Sequence, residues 1–378
     1  NEYAGSSDGA ANCYIISESG TYSFRPTKGN SSESVGDIVS VEVLWETYGT
    51  TRIPSKGTLV KDARYEGGKI SFETPEPFNK GNALIAAKDA DGTILWSWHI
   101  WLTDEPWGQL YYNNDKEMMD RNLGAASATT AGAYYQWGQK DPFFGSTQDP
   151  KPMPDGENQD VAAAYPTTFY SDWNPSSDKG WSSSKSSYDP CPPGYKVPGV
   201  SVLASAKDRK TTADYTSLIF VDNSTNDGIY PLHSYLTSTA VTTEDGQNVK
   251  AGTLMPITKT QKKASTNSVY KGWFGEYPVT VTYTYEHTVK YGGLWTYMEG
   301  EKIHYSAEID RNPKFEDVQV VGNAGGFLSQ IAGYFAGGRG QELAEEMCPG
   351  IVWLPYYNPG VQENESNGLQ VRCVRETE

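Results

Sequence analysis

The chain has 378 residues and a formal net charge of -16 at pH 7, with 47 acidic and 31 basic side chains. This acidic excess argues against nucleic acid and anionic lipid as partners, because both require basic patches that displace counterions. The length allows two hydrophobic cores, since domains usually contain about 100–200 residues. No segment approaches the roughly 20 consecutive apolar residues that a membrane-spanning helix needs.

Residues 12–102 contain short segments with the composition of β-strands, separated by turn residues. Asp91-Gly92 lies between the last two segments and predicts a hairpin. Such strands, at regular spacing over about a hundred residues, are typical of an immunoglobulin-like sandwich. The last segment is apolar on both faces, so we expect both to be covered, one of them by the residues that follow. The predicted strands are Cys13–Ile16, Thr21–Phe24, Val39–Trp45, Lys69–Phe72, Ala83–Lys88 and Ile94–Leu102.

Thr103–Pro106 is a short polar break, and we place a domain boundary there. So short a linker leaves little room for independent motion. Beyond it, Tyr165–Ser187 is rich in Ser, Asn and Pro but carries aromatic residues, which indicates an ordered loop. Val200–Ala206 is the best helix candidate. Residues 226–314 are rich in Thr, Val and Tyr at a period of two, which predicts antiparallel hairpins in an inserted or elaborated β region.

The four cysteines allow three fully paired connectivities, or one bridge with two free thiols. Cys13 lies in an apolar run and is interpreted as a buried small hydrophobe, whereas Cys348 follows a short helical pattern. We predict a bridge between Cys191 and Cys373, which would join the start of the second core to the last strand. On the chain-entropy account it would contribute roughly 5 kcal/mol. The alternative is four buried, free thiols.

The sequence carries no pattern of a catalytic or metal site. Its histidines, His99, His233, His287 and His304, are scattered without metal-ligand spacing. It has no Cys-x-x-Cys, His-Glu-x-x-His or Gly-x-Ser-x-Gly, and the Gly-rich Gly322–Gly340 lacks the Lys of a phosphate loop. We therefore expect no catalytic residue, no metal and no cofactor. Glycoside hydrolysis by a carboxylate pair stays open as an alternative, because sequence does not show which carboxylates meet.

Three segments, taken together, carry a family resemblance: Met119–Phe144, Asp189–Pro198 and Val371–Arg375. In order and spacing they resemble the C-terminal C-type lectin-like domain (the Fibrobacter-type major paralogous domain) of fimbrillin-like surface proteins of gut and oral Bacteroidetes. Residues 12–102 resemble the domain that precedes it in those proteins. The positions that match the family's core motif are Asp120, Arg121, Asn122, Tyr135, Trp137 and Arg372.

The resemblance implies a mostly β protein with minor α. Residues 1–103 would form an immunoglobulin-like β-sandwich, and residues 104–378 a C-type lectin-like α+β domain in which 226–314 is the inserted β region. The implied location is the outer face of the outer membrane, the cell surface or a fimbria, with no membrane insertion beyond a lipid anchor that has been removed. The calcium-binding loops of relatives are absent, as is the cysteine pair of formylglycine-generating enzymes, and the chain lacks the Trp-Ser-Ser signature that relatives carry before the final strand.

The resemblance thus predicts a scaffold for binding, and exposed aromatic rings are the candidate ligand contacts. A ring can stack on the C–H face of a sugar or anchor a protein contact. The alternative for any single ring is that it caps the core beneath a loop. The candidates, all of which we expect on loops, are Trp173, Trp181, Trp273, Tyr277, Tyr356 and Tyr357.

We expect a non-catalytic adhesin or a fimbria-associated tip or accessory protein. Its partner would be an unknown surface ligand, glycan or protein, or other fimbrial subunits. The alternatives are a glycan-capture lipoprotein for polysaccharide uptake and a pilus subunit that polymerises by strand donation.

Overall fold

The computed structural model describes residues 9–111, 116–154, 159–175, 179–203, 206, 208–221, 227–256, 258–272, 275–309, 315–322 and 354–376. Within these ranges the protein is mostly β with minor α, as predicted. Helical structure is limited there to α1 (Gln159–Ala162) and a 3-10 turn at Val200–Leu203, where the sequence predicts a longer helix. Neither is long or apolar enough to cross a bilayer.

Residues 13–102 form a sandwich of two sheets. Its strands are β1 (Cys13–Ile16), β2 (Gly20–Phe24), β3 (Ser40–Thr47), β4 (Lys61–Glu66), β5 (Lys69–Thr74), β6 (Gly81–Lys88) and β7 (Ile94–Leu102). One sheet has the order β1-β7-β6-β3 and the other β2-β5-β4. Apolar side chains of both sheets share one core, in which the ring centroids of Phe24 and Trp98 lie 5.2 Å apart. Burial of these large rings is the main stabilising term of the sandwich.

The predicted strands all occur, with ends that differ by at most two residues. The predicted hairpin joins β6 to β7, and Gly92 in its turn has φ 80°, a conformation that favours glycine. Strand β4 is absent from the prediction. Its sequence, KDARYE, is largely exposed and lacks apolar alternation, so only its pairing with β5 makes it a strand.

Strand β7 is covered on both faces, as its sequence predicts. The face in the sandwich core carries Trp96, Trp98, Ile100 and Leu102. On the other face, Trp101 belongs to a core built mainly from residues beyond the boundary, and its Nε1 donates to the carbonyl of Ala125 at 3.0 Å. The two parts of the chain therefore share a buried strand.

A buried ion pair lies in this contact. Lys140 Nζ is 2.9 Å from both carboxylate oxygens of Asp141 and donates to Ser97 Oγ of β7 at 2.6 Å. Lys140 Nζ also lies 4.6 Å from the centroid of the Trp96 ring. Burial lowers the pKa of the Lys140 ammonium, and the Asp141 carboxylate opposes that shift. The pair is stabilised only while both partners and Ser97 are in place, because an unpaired buried charge is costly.

Beyond residue 104 the strands form several smaller sheets and one large sheet. The short strands are β8 (Gly108–Tyr111), β9 (Lys116–Met119), β10 (Tyr134–Tyr135), β11 (Tyr195–Lys196), β12 (Asp208–Thr211), β13 (Ser217–Val221), β14 (Gly228–Pro231), β15 (Val241–Thr242) and β16 (Asn248–Val249). The others are β17 (Thr258–Gly272), β18 (Gly275–Trp295), β19 (Glu301–Ile309), β20 (Phe315–Gly322), β21 (Leu354–Gln362), β22 (Leu369–Gln370) and β23 (Val374–Arg375).

The large sheet has the order β10-β22-β18-β19-β21, and both β17 and β20 also pair with β18. Strands β17 and β18 form the antiparallel hairpin predicted within residues 226–314. The smaller sheets have the orders β11-β23-β9-β8 and β12-β13-β14, while β15 pairs with β16. Apolar residues of β13, β14, β18 and β19 share one core, so the predicted insertion supplies central strands of this part of the protein.

The motif residues of the resemblance lie in or beside buried contacts. Arg121 pairs with Asp120 and Asp104 at 2.8 and 3.1 Å, and its hydrogen bond lowers the pKa of Asp104. The other members are Asn122, Tyr135, Trp137 and Arg372, all buried. Arg372 Nε donates to Asn122 Oδ1 at 2.8 Å, and its guanidinium carbon lies 3.8 Å from the centroid of the Tyr230 ring.

The predicted disulfide between Cys191 and Cys373 is present, with a Cα–Cα distance of 6.0 Å. Cys13 is buried and free, as predicted, whereas Cys348 and most of Gly322–Gly340 lie outside the described residues. The disulfide adjoins β23, which lies between β11 and β9 in its sheet. The chain's last strand is therefore fixed by a covalent bond as well as by pairing.

Replacing Asp141 tests the buried ion pair. Asp141→Asn leaves the Lys140 ammonium buried without its countercharge, and we expect a loss of about 3–5 kcal/mol in the free energy of unfolding, measured in urea. The matched control is Asp149→Asn, which breaks the exposed pair of Asp149 with Lys151 and should leave stability close to that of wild type. Equal effects of the two substitutions would contradict the assignment.

The disulfide closes a loop with a sequence separation of 182, so the Cys191→Ala/Cys373→Ala double variant should lose about 5 kcal/mol on the chain-entropy account. Chemical denaturation of this variant, and of wild type with and without a reductant, measures the effect. Unchanged stability in both tests would show that the tail strand does not depend on the bond.

Candidate functional site

Two of the predicted ligand contacts are buried, so the prediction that they are exposed is wrong. Trp173 is 2% exposed, and its Nε1 donates to the carbonyl of Trp137 at 2.6 Å. Trp181 is 3% exposed, and its Nε1 donates to the carbonyl of Tyr188 at 3.0 Å. The polar loop that carries both indoles folds over the core, and each N–H is satisfied by a backbone carbonyl.

The other four candidates differ in whether the structure describes their side chains and in which face they occupy. Trp273 lies outside the described residues, and Tyr277 is in β18 but its side chain is not described. Tyr356 and Tyr357 lie on β21, where the sequence predicts a loop. Tyr357 faces the core, with its ring centroid 5.4 Å from that of Phe220. The prediction that its ring is an exposed ligand contact is therefore wrong. Tyr356, on the opposite face, is 52% exposed and is the predicted candidate that the described structure presents to solvent.

The face that carries Tyr356 extends across three strands. In β19, Lys302, His304 and Ser306 alternate with core residues Ile303, Tyr305 and Ala307. Adjacent positions across antiparallel strands share a face. Gly293 of β18 pairs with His304, and Tyr291 pairs with Ser306. We call this side of β18, β19 and β21 the ligand face.

A segment from His233 to Met255 crosses the ligand face and holds a firm position. The amide of Leu236 donates to the carbonyl of Gly368 at 2.9 Å, and the amide of Gly368 returns a bond at 2.8 Å. The amide of Met255 donates to the carbonyl of Tyr235 at 3.0 Å. These backbone bonds fix the segment above the sheet, because unpaired buried amides would be costly.

Between this segment and the sheet lies a pocket of about 330 Å³. The volume is at the lower end of the range for small-molecule sites, about 300–1,000 Å³. The walls combine aromatic and imidazole rings, hydroxyl groups and a few apolar groups. The lining includes His233, Tyr235, Thr242, Glu244, Met255, Tyr291, Gly293, Lys302, His304 and Leu369.

The positive charge of Lys302, which lines the pocket, is balanced by a carboxylate of the protein. Lys302 Nζ lies 2.5 Å from Glu363 Oε2 and 5.1 Å from the centroid of the Tyr235 ring. Glu363 Oε1 accepts a bond from Asn367 at 2.8 Å. The Lys302 ammonium is therefore paired with the Glu363 carboxylate and packed against the face of the Tyr235 ring. This pairing disfavours an anionic ligand.

The two histidines in the lining are held neutral at pH 7. Burial, helped by Lys302, lowers the pKa of His304 to about 4, with Glu363 opposing the shift. Burial also lowers the pKa of His233. A neutral imidazole carries one donor and one acceptor, so each ring can donate a hydrogen bond to a ligand hydroxyl group or accept one from it.

Gly293 leaves room in the floor of the pocket. A Cβ atom built on it would lie 3.3 Å from Leu369 Cδ2 and 3.7 Å from Lys302 Cδ, both of which line the pocket. A side chain at this position would fit on the strand but occupy part of the pocket. The absence of a side chain at Gly293 therefore helps to form the cavity.

The sequence pattern does not predict this site, although it carries one signal of it. The histidines are scattered along the chain, and His233 and His304 are brought together only by the fold. The alternation of polar and apolar residues in β19 would have predicted a strand with one covered face and one available face. The elements that complete the site lie far apart in sequence.

Among the described residues, no group of three or more His, Cys, Asp or Glu side chains is placed to hold a metal ion. The chain matches no protein-family model, no curated protein and no solved structure. The immunoglobulin-like, lectin-like and fimbrillin-like assignments therefore stay predictions.

The pKa of His304 provides a test of the burial of the site. An NMR titration of its imidazole C–H should have a midpoint near pH 4. Because an unfolded chain takes up this proton near pH 6.5, the free energy of unfolding should fall as pH drops from 6.5 towards 4. His304→Gln should remove this part of the decrease. A midpoint near 6.5 would contradict the burial.

Proposed function

We propose that the protein is a non-catalytic cell-surface binding protein of the adhesin type, which holds a carbohydrate in the ligand-face pocket. The observation that carries the proposal is the pocket itself, where tyrosine rings and two neutral imidazoles line one small cavity. A pyranose has C–H faces that stack on rings and hydroxyl groups that both donate and accept hydrogen bonds. The lining offers partners for each.

The arrangement of carboxylates supports binding over hydrolysis. Glycoside hydrolysis requires two carboxyl groups that flank the bond. Glu244 lines the pocket, but Glu363 is bonded to Lys302 and Asn367. Turnover of a labelled glycan, abolished by Glu244→Gln, would support the hydrolase alternative instead.

The position of the last strand supports a tip, accessory or free surface protein over a repeating shaft subunit. A subunit that donates a strand must release it from its own fold. Here β23 is paired on both sides, and Cys373 is bonded to Cys191. Ladders of the purified, processed chain that resist detergent would favour the shaft alternative.

A glycan array combined with capture of host matrix proteins tests the function. Binding to glycans found on host or bacterial surfaces supports an adhesin, whereas binding only to soluble dietary polysaccharides supports the glycan-capture alternative. Binding only to matrix proteins would still support an adhesin, but its binding site would lie outside the pocket. Absence of any glycan binding would overturn the carbohydrate proposal.

Gly293→Val provides the direct test of the pocket. The new side chain should occupy the cavity and weaken glycan binding at least about tenfold, measured by calorimetry. The matched control is Gly20→Val, on strand β2, where an added Cβ would lie 3.4 Å from its nearest neighbour in Tyr22. Unchanged glycan affinity in folded Gly293→Val would exclude the pocket as the binding site.

A further inference from the structure

An aromatic strip runs out of the pocket across the ligand face. Tyr291 of β18, His304 of β19 and Tyr356 of β21 lie on three neighbouring strands. The ring centroid of His304 is 5.8 Å from that of Tyr291 and 6.0 Å from that of Tyr356. Tyr291 and His304 line the pocket, whereas Tyr356 lies one strand beyond its lining. The row of rings that begins in the pocket therefore extends to Tyr356, outside the cavity.

The exposure of the rings increases along the strip. Tyr291 and His304 are half-buried, and Tyr356 is 52% exposed. A single exposed ring needs no explanation, since much of any protein surface is apolar. Tyr356 is distinguished by its contact with a pocket residue, which places it at the mouth of a site and not alone on a surface.

We propose that the pocket is the inner subsite of a longer groove and that Tyr356 forms the next subsite, so that the ligand is an uncharged oligosaccharide chain and not a single sugar. This inference rests on the proposed function and names its ligand class. One unit of the chain occupies the pocket against Tyr291 and His304. The following unit stacks on the ring of Tyr356.

The chemistry of the strip fits an uncharged chain. The strip consists of two phenol rings and an imidazole, and burial holds that imidazole neutral at pH 7. Asn358 pairs with His304 across β19 and β21 and is exposed, so its amide lies beside the strip with both a donor and an acceptor. Stacking with adjacent amide hydrogen bonds suits a sugar ring better than it suits an anionic group.

The groove opens at the edge of the sheet. Strand β21 is the last in the order β10-β22-β18-β19-β21, and it pairs on one side, with β19, among the described strands. A chain that leaves the pocket past Tyr356 therefore meets no further strand of this sheet among the described residues. The site is suited to an internal stretch or a long end of a polysaccharide, since nothing in the described part of the chain requires the ligand to stop at Tyr356.

The test is the dependence of affinity on chain length. The probes are the mono- to hexasaccharide series of glucose, mannose, galactose, xylose and N-acetylglucosamine, titrated by NMR and calorimetry. In the series that binds, affinity should rise about tenfold from the monosaccharide to the short oligosaccharides, as one stacked ring contributes. Tyr356→Ala should remove this rise and leave the monosaccharide affinity unchanged, whereas Tyr356→Phe should retain it.

Tyr65→Ala is the matched control, because Tyr65 is 41% exposed on β4 of the first sandwich. Equal affinity for the monosaccharide and the hexasaccharide would overturn the second subsite but leave the proposed function standing. A rise in affinity that persists in folded Tyr356→Ala would also overturn it. If no member of any series binds, the proposed function fails, and this inference fails with it.

Discussion

The last segment of the chain, Leu369–Arg375, is the constraint on which the rest of the structure depends. It enters the large sheet as β22 and leaves it to become β23 of a second sheet. Between these strands, the carbonyl of Val371 accepts from the amide of Leu123 at 2.8 Å, and Cys373 is bonded to Cys191. A few residues thus join two sheets to the segment Met119–Phe144, and most of their side chains are buried.

This constraint extends to both the sandwich and the ligand face. Leu369 lines the pocket, while Val371 and Cys373 share a core with Trp101 of β7. The first sandwich, the shared strand and the pocket are therefore connected through continuous packing. A site held in this way is preformed, and a preformed site binds without a large loss of conformational entropy. This property suits the binding function proposed above.

Sequence reasoning identified features that depend on local pattern or on large apolar area. Alternation located most sandwich strands, and the two apolar faces of β7 indicated a shared strand. The predicted Cys191–Cys373 bridge is also present. It failed where exposure depends on long-range packing. Trp173 and Trp181 lie in a polar loop but donate to backbone carbonyls in the core. The pocket was not predicted either, because its rings come from two strands, whose register is fixed only by the complete sheet, and from the segment that crosses them.

The segment Leu369–Arg375 fixes a rigid scaffold around a preformed pocket. Native-state hydrogen exchange of the ligand-free protein tests it most directly, at the amides of Leu123 and Met119, which donate to the carbonyls of Val371 and Cys373. The account predicts that these amides, together with those of Leu236 and Gly368 beside the pocket, exchange only through global unfolding. Fast exchange of either group by local opening, with the rest of the protein still folded, would contradict it.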